Sequence, residues 1–543
     1  MFYKNKYLKY KFKFLHAKYF SLLSHDSNLF IKFLFPFFCL FNSSLSSSLH
    51  NVFDNSFFIK ISHIVHTHTS SFNSSKQQRL ISFSKSTIFD LIIKNIDLDV
   101  IKYKLDNKQF IDSYIDDIIV SLYNSPKFYN IINKINLSSL IIDKPLKHLL
   151  YNELLKLKLD FYNNDIDDDN NFINNIQNND IFTRQYNFKN NNGSINKISY
   201  FDLNNLSNSF YNSLNPVFTS HYFNYRFITP DVVSDLKSFD LTIFNFYNYN
   251  NINISIPKSL DLDSNIFHKI ILHTNIIFDF KKLFPFHNLN SNINIELLLS
   301  NAKKLFSPPS SKHSCFFSPT SINSAQFYSL PSKLTIFRKE ELFKLLLHEL
   351  IHYSHIDRFV DSNSSFNNIW FKHFNVHKSF SFLFSESIAE TFAQLLNLLI
   401  ISSLFDIDFA LLFKFELLFG LFQTAKIFFL AGFTDSKQFF NSFDPSFNNK
   451  IFTSTNTVEY HIFKTIFLFN LNDFLNIFFL ASNSSSNLNN ISAQLLNLIS
   501  DSFSSNSSFH SIINFFLNFF SSDLIDTSSF IFLSSRMSLI ESL

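Results

Sequence analysis

Hydrophobic positions follow two different periods along the second half of the chain. Between residues 217 and 337, short apolar or alternating runs stand between turn residues and predict strands at 240–246, 252–256, 269–273, 293–299 and 335–337. From Arg338 to about residue 480, apolar residues recur at helical spacing. Strands followed by helices predict an α+β fold, with a small mixed or antiparallel sheet ahead of a mainly α-helical region.

The first part of the chain is predicted to be helical and then unstructured. Amphipathic segments such as residues 86–94 and 146–156 predict a helical N-terminal region over residues 56–160. Residues 161–200 are rich in Asn and Asp and predict a linker, since the acidic run lacks the central Gly and closing Glu of a calcium loop. The remaining divisions are a strand-rich part, a helical part and a Ser/Asn-rich C-terminal tail, at residues 201–337, 338–480 and 481–543.

Residues 1–55 begin with a basic stretch and continue with a short apolar run. Residues 1–25 hold six Lys and no acid, and Lys32 and Pro36 interrupt the apolar run at 29–41. This order resembles a secretory signal or an organelle-targeting leader, and a disordered basic tail is a third alternative. The run is shorter than the ~20 residues of a membrane span. The compartment therefore stays open, and membrane association is expected only through this leader.

Two apolar stretches of the helical part, residues 395–405 and 417–433, have the character of membrane spans at first sight. Asp406, Lys414 and Lys426 break them below spanning length. Buried core helices are therefore predicted. A protein whose apolar C-terminal half lies in lipid remains an alternative.

Composition shows where the sequence is constrained. The chain has 77 Phe but only 3 Gly, 2 Met and 1 Trp, which indicates an AT-rich coding bias rather than a functional device. Glu, Ala and Gly resist this bias, and most of them lie between Glu296 and Ala493. A net charge of +3 without a dense basic run beyond the N-terminus argues against a nucleic-acid partner. Cys39 and Cys315 are too few for a disulfide framework or a zinc finger.

The region resistant to this bias contains the pattern H-E-x-x-H at His348, Glu349 and His352. On a helix, residues four apart share a face, so both imidazoles can reach one zinc ion at about 2.0–2.1 Å. Glu349 projects one step further round, where it can take a proton from a water on the metal. The alternative is a buried helix whose two His are satisfied by core hydrogen bonds.

A catalytic zinc needs a third protein ligand, and a second acidic pair offers one. Glu386 and Glu390 stand at positions i and i+4 of a predicted helix. Glu386 is predicted to bind the metal, and Glu390 to accept a hydrogen bond from the free N–H of a ligand His. A solvated acidic helix face is the alternative.

These two motifs together resemble the gluzincin metallopeptidases, whose H-E-x-x-H is followed downstream by E-x-x-x-D or a relative. The acid at Glu390 departs from the Asp of that pattern. The resemblance implies a zincin-like catalytic region, one Zn²⁺ ion, a peptide or protein substrate, and Glu349 as general base. Metzincin spacing does not fit, because His355 and Arg358 occupy the positions of its Gly and third His. His355 is read as an accessory or surface residue.

The resemblance also implies residues around the substrate. Gluzincins supply an oxyanion donor from a downstream Tyr or His, and Tyr460 or His461 is a candidate. They also place an Asn-Ala-containing edge strand against the peptide backbone, for which Asn323 and Ala325 are candidates. A half-buried structural pair and an ordinary edge strand are the respective alternatives. A non-catalytic, zinc-bound or degenerate scaffold is the alternative for the whole protein.

Overall fold

The computed structural model describes residues 25–74, 187–189, 195–197, 230–237, 244–249, 252–257, 260, 264–284, 293–306, 316–317, 322–328, 333–357, 373–378, 383–405, 407–440, 451–483, 488–504, 507–521 and 529–541. The amphipathic segments at 86–94 and 146–156 and most of the predicted linker at 161–200 lie outside the described residues.

Helices make up most of the described chain. In chain order, α1 to α12 are His25–Ser47, Ser56–Ser74, Pro230–Lys237, Ser264–Lys281, Leu342–Ser354, Phe384–Phe405, Phe409–Leu430, Lys464–Phe469, Leu471–Asn483, Leu488–Ser502, Ser508–Phe520 and Phe530–Leu533. The strands β1 to β10 are Asn187–Lys189, Ile195–Lys197, Phe244–Tyr249, Ile252–Pro257, Ile293–Ser300, Phe316–Phe317, Ala325–Tyr328, Lys333–Arg338, Val376–Lys378 and Ile451–Thr453. A 3₁₀-helix occupies Ser436–Phe439 and a π-helix Val458–Phe463.

A five-stranded mixed sheet has the order β3-β4-β5-β8-β7. β4, β5 and β8 run parallel, while β3 and β7 lie antiparallel to their neighbours at the two edges. The β-branched side chains of Ile252, Ile254, Ile293 and Ile295 are buried, as the pleated surface of a covered sheet favours. The expectation of mixed α and β structure with a small mixed sheet is confirmed.

The prediction of a strand at residues 269–273 is wrong. These residues lie inside α4. Ile270, Ile277 and Phe280 are fully buried at a spacing that a helix brings to one face, and so short an apolar run does not distinguish a strand from a helix. A parallel connection between β4 and β5 also needs a crossover, which α4 supplies.

The helix that carries H-E-x-x-H is α5, and it packs against β7, β8, α4 and α6. Arg338 is the last residue of β8, so the helix begins later than the hydrophobic pattern indicates. Glu341 turns the chain between the two elements in a left-handed backbone conformation, with φ of 60°. The motif is thereby placed between the sheet and the helical part.

The centre of the helical part is α7, which contacts α1, α6, α8 and α11. Apolar residues lie on every face of this helix, as expected for a fully buried element. One described helix, α6, is long and apolar enough to cross a membrane, and 83% of its most apolar window is buried inside the structure. The prediction of buried core helices at residues 395–405 and 417–433 is confirmed.

Both ends of the described chain pack into this core. In α1, the Phe30 ring lies 5.0 Å from that of Phe419, and the Phe37 ring lies 5.2 Å from that of Phe516. The disordered-tail alternative therefore does not describe residues 25–47. Residues 534–541 of the predicted Ser/Asn-rich tail are also buried. Ser and Asn content alone therefore does not identify an unpacked tail in this chain.

Candidate metal centre

The two histidines of the motif face one space from α5. His348 and His352 are one helical turn apart, and their Nε2 atoms lie 3.0 Å apart. The fully buried Leu346, Leu347 and Leu350 hold the helix against its neighbours. The predicted pair of nitrogen donors is therefore formed on one helix face.

Glu386, in the first turn of α6, completes the group. Its Oε2 atom lies 3.4 Å from His348 Nε2 and 3.3 Å from His352 Nε2. A metal bound tetrahedrally at about 2.0–2.1 Å separates its ligand atoms by about 3.3–3.4 Å. These three residues could hold a metal ion.

The far nitrogen of each histidine faces a carboxylate. His348 Nδ1 lies 2.9 Å from Glu390 Oε2. This is as close as the predicted hydrogen bond requires, but the two atoms are not aligned for one. His352 Nδ1 lies 2.7 Å from Asp357 Oδ2. A carboxylate favours a proton on Nδ1, so Nε2, which faces Glu386 in both rings, would be the nitrogen that binds a metal in place of a proton. Three acceptor atoms thus converge where a cation would satisfy all of them.

Sequence reasoning missed Asp357. Its signal was an acid five positions after His352, just beyond the end of α5 at Ser354. The helix ends there because His355 adopts a left-handed conformation with φ of 59°. His355 therefore leaves the stripe that holds the other two histidines and does not act as a third ligand from the same helix.

Charges around the site favour a cation. Burial lowers the pKa of His352, but Glu386 and Asp357 outweigh it and raise that pKa well above its ordinary value. Burial raises the pKa of Glu386, but the two histidines hold it well below its usual range. Negative charge in the centre is therefore present at neutral pH, and positive charge is stabilised beside it.

Glu390 is completely buried, yet it has a cationic partner. Lys344 lies one helical turn before His348 on α5, and its Nζ atom forms an ion pair with Glu390 Oε1. Burial raises the pKa of Glu390, but Lys344 and His348 together lower it below its usual range. Lys344 is a second residue that sequence reasoning missed, since a lone Lys in a Lys-rich chain carries no signal.

Glu349 lies beside the three donor atoms without being one of them. Its side chain is buried, and burial raises the pKa of its carboxyl group, with His348 and His352 opposing the shift. A carboxylate with a raised pKa is better suited to take up and release a proton at neutral pH.

A π-helix brings Tyr460 to the site. The Tyr460 hydroxyl donates to Glu386 Oε2 at 3.0 Å, and its ring lies 5.7 Å from that of His348. Burial and the neighbouring Glu386 raise the pKa of this phenol well above its ordinary value, so it stays protonated. Glu459, next to it, accepts the backbone N–H of Leu383 at 3.0 Å and so ties this turn to the start of α6.

The structure does not bring His461 to the site. Its ring is buried 6.3 Å from that of Phe306, and its backbone carbonyl accepts hydrogen bonds from Thr424 and Thr465. The pKa of His461 is far below its ordinary value, because burial and the nearby Lys464 disfavour the charged form. Adjacent residues of this helix point in different directions, so Tyr460 is the candidate donor and His461 belongs to the core.

Asn323 and Ala325 lie at the edge of the sheet next to α5. Ala325 begins β7, which contacts α5. The Asn323 side chain accepts a hydrogen bond from the Thr455 hydroxyl at 3.4 Å, which links this edge to the segment before the π-helix. The predicted edge strand is therefore formed, although these contacts do not join either residue to His348, His352 or Glu386.

Comparison of the chain with protein-family models, curated proteins and solved structures finds no match. Function is therefore inferred from the side chains of the centre: His348, His352, Glu386, Glu349 and Tyr460.

Proposed function

We propose that the protein is a zinc-dependent metallopeptidase of the gluzincin type. The observation that carries this proposal is the convergence of His348 Nε2, His352 Nε2 and Glu386 Oε2 at mutual distances of 3.0–3.4 Å. Two imidazoles and one carboxylate are a ligand set typical of catalytic zinc, which keeps a fourth position open. Glu390 and Asp357 support it by fixing the two imidazoles.

The proposed chemistry is hydrolysis. A zinc ion held by these residues would polarise a scissile carbonyl and lower the pKa of a water toward about 7. Glu349 accepts a proton from the attacking water and delivers it to the leaving amine. Tyr460 donates a hydrogen bond from its phenolic O–H to the negative oxygen that develops on the substrate carbonyl. Its raised pKa keeps that hydrogen in place at neutral pH.

A peptide is the proposed substrate because of the edge of the sheet beside α5. Among the described strands, β7 pairs with β8 on one side only. Phe327 of β7 contacts Tyr353 of α5, with ring centroids 5.9 Å apart. An extended peptide that adds to an exposed edge strand gains main-chain hydrogen bonds, and its scissile bond would run past the centre.

The alternative is a zinc-binding scaffold without activity. A scaffold needs no general base, so the buried Glu349 beside the three donor atoms favours the enzyme. We expect Glu349→Gln to retain zinc and to lower peptide hydrolysis by about 10²–10⁴-fold, the usual contribution of general acid–base catalysis. Hydrolysis of a quenched-peptide library by the wild-type chain and this variant tests the proposal. Equal rates for the two proteins would contradict it.

A further inference from the structure

Residues 534–541, called the clamp segment below, cross the interior beside the metal centre. Four successive backbone N–H groups of this segment donate to two buried carboxylates of other elements. Those of Met537 and Ser538 donate to Glu341 Oε1 at 2.9 and 2.5 Å. Those of Leu539 and Ile540 donate to Glu416 of α7 at 3.0 Å. These two carboxylates thus hold the second half of the segment, while its first half forms an antiparallel β-bridge between Ser534 and Leu305.

The first connection to the metal centre runs through Glu341. This residue immediately precedes α5 and has a left-handed backbone, a conformation that residues other than Gly rarely adopt. Its N–H donates to Glu541 Oε1 at 2.6 Å, and Lys304 Nζ donates to its carboxylate at 2.6 Å. The clamp segment therefore forms hydrogen bonds with both the backbone and the side chain of Glu341, at the start of α5.

The second connection runs through Met537. Its Sδ atom lies 3.6 Å from Lys344 Nζ, and its backbone carbonyl accepts a hydrogen bond from Lys464. Lys344 in turn pairs with Glu390, which faces His348 Nδ1. A series of contacts through Lys344 and Glu390 thus links the clamp segment to His348.

We propose that the clamp segment is a positioning element of the metal centre. Its contacts with Glu341 fix where α5 begins, and its contact with Lys344 fixes the carboxylate that orients His348. Together these contacts set the geometry of the two histidines. This inference rests on the proposed metal centre, but not on peptidase activity.

Full-length Glu341→Gln and Glu541→Gln test the inference, because each removes a charge at the junction and keeps the side-chain shape. The readouts are the zinc Kd from competition with a chelator and the visible absorption of bound Co²⁺. We expect the Kd to rise by about tenfold, the lower end of the effect of residues that support metal ligands, with a changed cobalt spectrum. A folded variant with an unchanged Kd and spectrum overturns the proposal.

Asn55→Ala is the matched control for a general loss of stability. Asn55 is the buried N-cap of α2, and its amide bonds to Asn472 and Asn476 instead of the clamp segment. We expect a lower Tm with the wild-type zinc Kd, and an equal rise in Kd in this control overturns the proposal.

If neither clamp variant folds, Met537→Leu decides, since it keeps an apolar side chain of similar volume. A cobalt spectrum that changes in this variant supports the proposal, and an unchanged spectrum overturns it. A wild-type chain that binds no zinc overturns the proposed metal centre. A wild-type chain that binds zinc, with variants of unchanged affinity and spectrum, overturns only the role of the clamp segment.

Discussion

At the scale of single residues, the two carboxylates behind the histidines determine what the centre can bind. Glu390 and Asp357 each face an Nδ1 atom, at 2.9 and 2.7 Å. Both Nε2 atoms are thereby turned toward Glu386. Without those carboxylates, either histidine is free to protonate Nε2 and to lose its value as a ligand.

Asp357→Asn should weaken metal binding while leaving the fold intact. The amide oxygen still fits the space, but it holds the N–H of His352 less strongly than a carboxylate does. We expect the zinc Kd to rise about 10-fold. Asp279→Asn is the control, since Asp279 faces His68 at 2.7 Å and does not belong to the centre. Chelator competition measures both, and equal zinc affinity in Asp357→Asn and wild type would contradict the assigned role.

His273 should make the protein less stable in mild acid. Burial lowers its pKa from 6.5 to about 4, so the folded chain keeps this imidazole neutral. Between these values the unfolded chain binds the extra proton, and stability falls as pH drops from about 6.5 to 4. At about 1.4 kcal/mol per pKa unit, the full effect is about 3 kcal/mol.

His273→Phe tests this assignment, because Phe retains the stacking on Phe343 and cannot titrate. We expect urea unfolding to show a smaller loss of stability between pH 6.5 and 4 in this variant. The same loss in both proteins would show that other groups carry the acid sensitivity.

At the scale of elements, the π-helix decides which of two neighbouring residues reaches the centre. We expect Tyr460→Phe to bind zinc normally and to lower peptide hydrolysis by about 10²–10³-fold, as for other oxyanion donors. His461→Phe is the matched variant, because this ring is buried 6.3 Å from that of Phe306. Steady-state kinetics that rank the two variants the other way would contradict the assignment.

Close approach of α7 and α8 depends on Gly420. A β-carbon at this position would lie 2.7 Å from Thr465 Oγ1, so Gly420→Ala requires the Thr465 side chain or its helix to shift. Overpacking costs about 1–3 kcal/mol, which exceeds or offsets the ~1 kcal/mol gain in helix propensity. We expect a lower Tm for Gly420→Ala and recovery in Gly420→Ala/Thr465→Ala. A higher Tm for the single variant would contradict this packing.

Sequence predicts this molecule best within single elements. The four-residue spacing of His348 and His352 and that of Glu386 and Glu390 follow from helix geometry alone. Contacts between distant segments are different: nothing in the sequence near Lys344 indicates that its partner is Glu390. The run at residues 269–273 failed for a related reason, because so short an apolar segment fits a strand and a buried helix equally well.

At the scale of the whole molecule, both ends of the described chain pack into the interior, and the C-terminal one reaches the start of α5. α1 packs on α7, and the clamp segment joins α7 to the start of α5. The sequence did not predict this packing, since Lys-rich and Ser-rich stretches commonly indicate leaders and tails. A chain cut to residues 200–500 would lose both contacts, so tests of the metal centre require the full-length protein.

The most direct test is the metal content of the full-length chain by elemental mass spectrometry, with His352→Ala, Glu386→Ala and the control His355→Ala. We expect about one zinc per chain in the wild type and in His355→Ala, and none in the other two, because three protein ligands hold a catalytic zinc. A folded wild-type chain without metal would contradict the central claim. Zinc that survives Glu386→Ala but not His352→Ala would place the third ligand elsewhere.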